Sequence, residues 1–391
     1  MLMQLALDSR RRLRPSCRMV EMIPVETPAQ RREFVRSAAR FYRDLPAWVP
    51  PFEPDVERLL DPARNEFFHD AGNRAAFWLA RRDGQVVGRI GAFRNAAHLS
   101  VHHDDVGFFG FFECENDAGT ARALLATAEG WLRAQGLRVC RGPANFNVQE
   151  EAGVLLDGFE HQPMAGMAYT PAYYRELLER VGYARCRDLL VYRMDEQSVR
   201  FDRVERLVAA AERTSGLTVR NLDVKHIARE AKVFERVFAD SWRDNWGMVP
   251  ISAAEFALAY ERYRFFLLPE MVYLAEVDGE PAGAFVAMPD INALIKETGG
   301  RLWPFGWWTL LTGRKRITRY RTFMMGVRPQ FRRLGLPLIF LARCRQELVR
   351  RKATLMEFSW ILEDNHETRA VIERIGGWRA QTLRLFEKTL A

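Results

Sequence analysis

The run VRPQFRRLGLP, residues 327–337, decides how this chain is read. Val327 closes a strand-like stretch, RTFMMGV (321–327), and Leu336 opens a long amphipathic one, so the run is a strand-to-helix turn. Arg328, Arg332 and Arg333 crowd it, and Gly335 leaves room for close approach to the backbone. The first N–H groups of a helix lack intrahelical partners and carry partial positive charge, so a basic turn there suits a phosphate. Pro337 stands where such cradles usually carry glycine or alanine. It removes one donor, worth about 1.5–3 kcal/mol toward a charged acceptor, but proline is at home in a first helical turn. The turn is expected to hold a phosphorylated ligand.

Outward from this run the chain repeats itself. LARRDGQVVGRIGAF (79–93) is matched by LAEVDGEPAGAFVAM (274–288), each a hairpin about an Asp-Gly turn. LLERVGYARCRDLLVYR (177–193) is matched by VIERIGGWRAQTLRLFEK (371–388), each a helix end, a glycine stop and a closing strand. Ala80 to Ala275 is a shift of 195 and Gly182 to Gly376 a shift of 194. Two landmarks at nearly one offset predict a duplicated α/β unit with a boundary near 194–205. In the first copy the strand VGFFGFFECEN (106–116) leads into a helix that opens on Asp117 without arginine, which disfavours phosphate. One copy is expected to bind a phosphate and the other not.

The bulk composition agrees with two globular units. The chain has 391 residues, 48% hydrophobic and 12% aromatic, which is ample for packed cores. Five scattered cysteines without a CxxC pair exclude a disulfide framework and a zinc site, and predict reduced thiols. A net charge of +8 suits an anionic partner. Residues 1–21 place a short apolar run ahead of their arginines, the reverse of a secretory signal, and are expected to be a disordered tail. No run of 18 apolar residues occurs, so no membrane span is expected.

The run RRLGLP (332–337) resembles the R/Q-x-x-G-x-G/A pyrophosphate signature of the GCN5-related N-acetyltransferase (GNAT) superfamily in all but its last position. EDNHETRAVIERIGGW (363–378) resembles that family's helix beside the pantetheine arm, with Asn365, Glu373, Ile375 and Gly376 on matching positions. WRDNWGMVP (242–250), PDIN (289–292), EFSWILEDN (357–365) and GPANFNVQEEAGVLLDGF (142–159) extend the resemblance to a tandem-domain group that includes bacterial ceramide synthases. The resemblance implies an α/β fold of two tandem GNAT-like domains, each a mixed, mostly antiparallel sheet flanked by helices. The domains are expected at 22–200, lacking a cofactor cradle, and 201–391, binding acyl-CoA and catalysing transfer. The implied reaction is N-acylation of a long-chain sphingoid base by direct attack on a fatty acyl-CoA thioester, without metal.

That chemistry distributes roles over the chain. The cofactor set is expected to be Met325, Gly326 and Val327 at the strand end, Arg332, Arg333, Leu334, Gly335 and Leu336 in the cradle, and Asn365. A strand amide among Met325–Val327 is the expected oxyanion donor. Glu357 is the first candidate for the base and Glu363 its rival. Ile372 stands where the family carries a tyrosine that protonates the leaving thiolate. Trp242, Asn245, Trp246 and Trp360 are expected to line the acceptor pocket, with Asp290 and Asn292 gripping a polar head group. The segment 143–167 has no counterpart in the second copy, and its Asn145, Glu150 and Glu151 are expected to reach the other domain's cleft.

The second copy also carries an insertion, 293–321. There Trp303, Phe305, Trp307, Trp308, Leu310 and Leu311 adjoin Arg314, Lys315, Arg316, Arg319 and Arg321. Aromatics beside clustered cations describe an element lying on an anionic bilayer surface. The expected partners are therefore acyl-CoA, an amine-bearing lipid and an anionic membrane, with no nucleic acid. The expected location is cytoplasmic, peripheral on the inner face of the cell membrane. The alternatives are a small-amine acetyltransferase, an aminoacyl-tRNA-dependent transferase and a non-catalytic degenerate GNAT protein.

Overall fold

The computed structural model describes residues 19–391. The expected tail therefore lies outside the described residues over 1–18, and Glu21 already begins the first strand. The first half runs β1 (Glu21–Pro24), α1 (Pro28–Ser37), α2 (Glu53–Leu59), β2 (Arg74–Arg82), β3 (Gln85–Arg94), α3 (Ala96–His102) and β4 (Val106–Cys114). It continues through α4 (Ala118–Ala134), β5 (Val139–Gly142), β6 (Val154–Leu155), α5 (Tyr174–Arg180) and β7 (Ala184–Met194). The second half opens with α6 (Glu205–Ala211), β8 (Leu217–Asn221), α7 (Ile227–Ser241), α8 (Ala253–Tyr263), β9 (Val272–Val277) and β10 (Glu280–Pro289). After α9 (Asn292–Thr298) and α10 (Gly306–Gly313) come β11 (Arg319–Val327), α11 (Leu336–Arg350), β12 (Leu355–Leu362), α12 (His366–Arg374) and β13 (Trp378–Thr389).

Both Asp-Gly hairpins form. Asp83 and Gly84, like Asp278 and Gly279, have positive φ at both corners, the turn that matches strand twist. The described strands make one continuous sheet in the order β1-β2-β3-β4-β5-β13-β7-β12-β11-β10-β9-β8, with β6 beside β13. Only β4/β5 and β11/β12 are parallel pairs. The chain is thus a mixed α/β protein whose sheet is mostly antiparallel and flanked by helices.

The two closing strands change sides. β7 ends the first half but pairs with β12, and β13 ends the second half but pairs with β5. β7 and β13 also pair with each other along most of their length. Pulling the halves apart would therefore break strand pairing at the centre of the sheet, not merely a side-chain interface.

Helices cover the second half on both faces because β10 alternates. Phe285 packs toward α11, its ring 6.1 Å from that of Phe340, while Ala284 packs toward Val237 and Phe238 of α7. The same alternation sets which β11 atoms face the ligand side.

Candidate active site

β11 and β12 pair only from Arg319 to Thr322 and Leu355 to Phe358, then separate into a fork. β11 carries one extra residue there, since Val286 faces Met324 while Ala287 faces Thr322. The Arg328 N–H donates to Ala282 O at 2.9 Å. Because antiparallel N–H groups alternate in direction, those of Val327 and Met325 point away from β10, into the fork. Gly326 lies under Trp242, where an added Cβ would sit 2.1 Å from the indole. The indole is in turn stacked on Phe238, ring centres 4.8 Å apart.

Beyond Val327 the chain makes a short 3-10 turn, Pro329–Leu334, then Gly335 at φ +71° and helix α11. Leu338 N–H is used locally on Gly335 O, and Pro337 has none, so the donors heading the helix are Gly335 and Leu336. Arg332 and Arg333 are exposed and make no ion pair among the described residues. The expected third arginine is a correction: Arg328 is buried, its Nε 2.7 Å from Asp240 and its Nη1 2.7 Å from Glu280. A guanidinium already matched by two carboxylates has little left to offer a phosphate.

The equivalent fork of the first half, between β4 and β5, is plugged. Ala144 N–H donates to Phe109 O at 2.7 Å, and the Phe111 N–H donates to Asn145 Oδ1 at 2.8 Å. The helix that follows opens on Asp117, which accepts from Thr120 N–H and pairs with Arg82. The strand groups that stay open in the second fork are thus satisfied by the chain's own segment in the first.

That plug places Glu150 and Glu151 on the wall of a cleft of about 1130 Å³, which also reaches Glu113, Trp242, Thr322 and Met325. Asn145 Nδ2 lies 3.3 Å from Glu151 Oε2, and Gln149 clasps Val249 through both N–H and O, at 2.9 and 3.1 Å. The 142–159 and 242–250 segments are therefore latched together. The two glutamates line the cleft and are exposed there. Burial, then Glu113, push Glu151 up to about 7, with Arg89 opposing. Burial also raises Glu150, against Arg262 and Arg58.

The remaining expected residues divide. Asn245, Asn292, Trp360 and Asn365 line the cleft, the last also capping α12 by accepting from Thr368 N–H at 3.1 Å. Trp246 does not line it, lying between the Arg141 and Arg187 guanidinium groups at 5.0 and 5.2 Å. Asp290 is buried, accepting from the N–H groups of Ala165 and Asn292 and pairing with Arg319 at 3.2 Å. Glu357 is buried off the cleft, 2.9 Å from Arg193, and accepts from the Ser359 hydroxyl at 2.7 Å. Glu363 pairs with Arg185 on the far side of β12 from the fork and does not line the cleft. Ile372 is fully buried against the cleft.

Arg319 and Arg321, expected among the membrane-facing cations of the insertion, are a correction, since both belong to β11 and Arg319 pairs with the buried Asp290; Thr322 was missed as a site residue. Arg321 is buried and donates to Ser359 Oγ at 2.8 Å and Ala165 O at 2.6 Å, tying the fork to the first half. Thr322 Oγ1 is buried at the fork without a hydrogen-bond partner. The available signal was a threonine heading the otherwise apolar run 322–327.

No protein-family model matches the chain. Protein YghO of Escherichia coli (strain K12) is 32% identical over 369 residues, covering 92% of this chain and 93% of that protein. The bacterial ceramide synthase of Caulobacter vibrioides (strain NA1000 / CB15N) is 32% identical over 378 residues, covering 95% and 98%. Among solved structures, a tandem GNAT protein from the clavulanic acid biosynthesis pathway matches with TM-score 0.58 at 14% identity, covering 95% of this chain and 99% of that one. A GCN5-related N-acetyltransferase from Sphaerobacter thermophilus matches at 0.51 and 16% identity, covering 94% and 96%. At those identities the solved structures speak for the fold. With the open fork, the plugged fork and the full-length relatives together, this chain belongs to the tandem-domain group of the GNAT superfamily that includes bacterial ceramide synthase.

Proposed function

We propose that this protein is an acyl-CoA-dependent N-acyltransferase whose acceptor is the amine of a long-chain sphingoid base. The observation that carries the reading is the contrast between the forks: one is open at Met325 and Val327 and leads to a basic helix start, the other is plugged by Ala144 and Asn145. The residues present fit the co-substrate. Arg332, Arg333, Leu334, Gly335 and Leu336 would hold the diphosphate, and Asn365 would line the arm. The Met325 and Val327 amides, flanking Gly326, would hold the arm and polarise the thioester carbonyl. Thr322 Oγ1 supplies an unused hydrogen-bonding atom at the same place.

Acyl-CoA supplies an activated acyl group and a thiol leaving group. The chain supplies placement, so that attack becomes effectively intramolecular. Trp242, Asn245, Asn292 and Trp360 would surround the acceptor. Ile372 offers no proton, so the departing sulfur takes one from the amine or from water.

The insertion supports the lipid form of the reading. Trp303 and Phe305 are each 75% exposed, with Trp307, Trp308 and Leu311 also open, and Arg314 and Lys315 follow directly. The Arg314 guanidinium lies 4.9 Å over Phe265, joining this patch to the end of α8, whose Leu258 and Tyr263 line the cleft and are themselves exposed. An apolar rim with adjacent cations at the cleft mouth suits docking on an anionic bilayer, with the protein peripheral on the cytoplasmic face. No helix among the described residues is long and apolar enough to cross a membrane. The test is purified protein given acyl-CoAs from acetyl to palmitoyl with sphinganine, read by mass spectrometry. Long-chain amide is expected; acetylation of soluble amines without long-chain product would contradict the lipid reading.

A further inference from the structure

We propose that Phe323 and Tyr263 line a channel that takes the alkyl chain of the lipid acceptor, leads its amine to the open fork and sets its chain-length preference. The inference rests on the acyl-transfer reading above and adds where the acceptor's hydrocarbon lies.

The two forks differ at one equivalent residue. β11 carries its extra residue at Phe323, since Ala287 faces Thr322 and Val286 faces Met324. β4 has an extra residue in its own fork: Gly91 faces Gly110 and Arg89 faces Glu113, so Phe111 and Phe112 stand opposite Ile90 alone. Phe111 is 8% exposed, because Phe34, Phe77 and Phe146 close around its ring at 5.9, 6.0 and 6.0 Å. Phe146 belongs to the plug. Phe323 is 40% exposed, although Arg321, Thr322 and Met324 beside it are buried. Among the described residues only the Arg321 guanidinium stacks on its ring, at 4.4 Å. The ring that the plug covers in the first half is left bare in the second.

That bare ring looks toward the acceptor side of the sheet. Thr322 shares a face with Ala287 and Phe358, both in the core beneath α11 and α12. Arg321 alternates to the other face and reaches Ala165 of the first half, and Phe323 lies on it there. Ser359 and Ala165 fix the guanidinium, so the ring has a rigid back and one open side.

From the fork the apolar wall continues outward. Burial lowers the Arg321 guanidinium while Glu357, Asp290 and the Tyr263 hydroxyl oppose it, so the exposed end of α8 stands near this ring. Met288, Ile291 and Ile295 line the same cleft at the start of the insertion. There α9 packs on α10 through Leu294 and Gly313, and Arg314 joins the exposed aromatic patch to Phe265, two residues beyond Tyr263. The charged groups of the cleft on this side are matched among themselves, Glu66 lying 2.9 Å from Arg58 and 3.2 Å from Arg262. An apolar strip therefore runs from Phe323 to the membrane-facing patch. Acyl-CoA reaches the cradle from water, whereas a lipid arriving at the patch meets this strip, so the strip suits the acceptor's chain. The cleft of about 1130 Å³ exceeds the ~300–1,000 Å³ that a drug-sized ligand needs.

The test is a pair of chain-length series. kcat/KM is measured for 2-amino-1,3-diols from the bare head group serinol to sphinganine with palmitoyl-CoA, and for acyl-CoAs from hexanoyl to palmitoyl with sphinganine. The wild type should gain up to about fourfold per acceptor methylene buried. Phe323→Ala and Tyr263→Ala should each lower kcat/KM for sphinganine at least about tenfold more than for serinol, with the acyl-length profile kept. Calorimetric binding of decylamine should weaken in step, and thermal midpoints should stay near wild type because both side chains are exposed. Equal losses on serinol and sphinganine, or a shifted acyl profile with the acceptor profile intact, would overturn the assignment while leaving acyl transfer standing. A wild type that forms no amide with any pair would overturn the parent reading and this one with it.

Discussion

Trp242 lies across Gly326 so closely that the strand position tolerates no Cβ: the added atom would fall 2.1 Å from Cζ3 and 2.4 Å from Cη2 of the indole. Gly326 sits between the two amides that open into the fork, so the indole and the ligand-facing backbone form one packed unit. Gly326→Ala should therefore displace Trp242, lowering stability by about 1–3 kcal/mol as overpacking does and cutting transfer at least tenfold. Denaturant unfolding and steady-state assay check both. Adding Trp242→Leu should restore stability more than activity.

Arg332 and Arg333 are predicted to act on affinity and Arg328 on stability. Arg332→Ala or Arg333→Ala should weaken CoA binding by about 10–100-fold, the loss of one charge-assisted bond of ~1.5–3 kcal/mol. Arg328→Ala strands Asp240 and Glu280 and should lower the unfolding midpoint, with CoA affinity changed less than in either of the other variants. Calorimetric titration beside thermal melting separates the two effects.

Stability should respond to pH with two opposite signs. Glu151 is raised above its unfolded value, to about 7, so its contribution is complete below ~4.5 and is lost as pH rises through about 7. Glu151→Gln should accordingly be more stable relative to wild type at pH 8 than at pH 5. His98 is lowered to about 4 by burial, against the Asp104 carboxylate 3.0 Å away. Its contribution is present above ~6.5 and lost as pH falls toward 4. His98→Gln should flatten the acid limb of a denaturation series.

The α10 patch should govern membrane contact. Replacing Trp303, Phe305 and Trp308 by serine should abolish sedimentation with vesicles of mixed neutral and anionic lipid. Neutralising Arg314 and Lys315 should weaken it by ~1 kcal/mol each, and only on anionic vesicles. Turnover of a soluble short-chain amine should survive both changes.

How far the sequence carried the account varies with distance along the chain. The Asp-Gly corners, the Gly335 cap and the strand-to-helix turn were legible because each depends on adjacent residues. The exchange of β7 and β13 was not, since each carries an alternating pattern that can pair with either neighbour. Arg328 read as a phosphate ligand because its partners, Asp240 and Glu280, stand 88 and 48 residues earlier. Glu357 read as a free strand carboxylate because Arg193, 164 residues earlier, cannot be paired with it from one sequence. The plug was legible only as a segment without a counterpart; that Asn145 caps Phe111 required the fork geometry.

The central claim is that one half of this duplicated chain grasps coenzyme A and the other cannot. Isothermal titration with a non-transferable thioether analogue of palmitoyl-CoA tests it most directly. One site per chain is predicted, weakened in the double variant Arg332→Ala/Arg333→Ala and retained in Asn145→Ala. Two sites, or none, would contradict it.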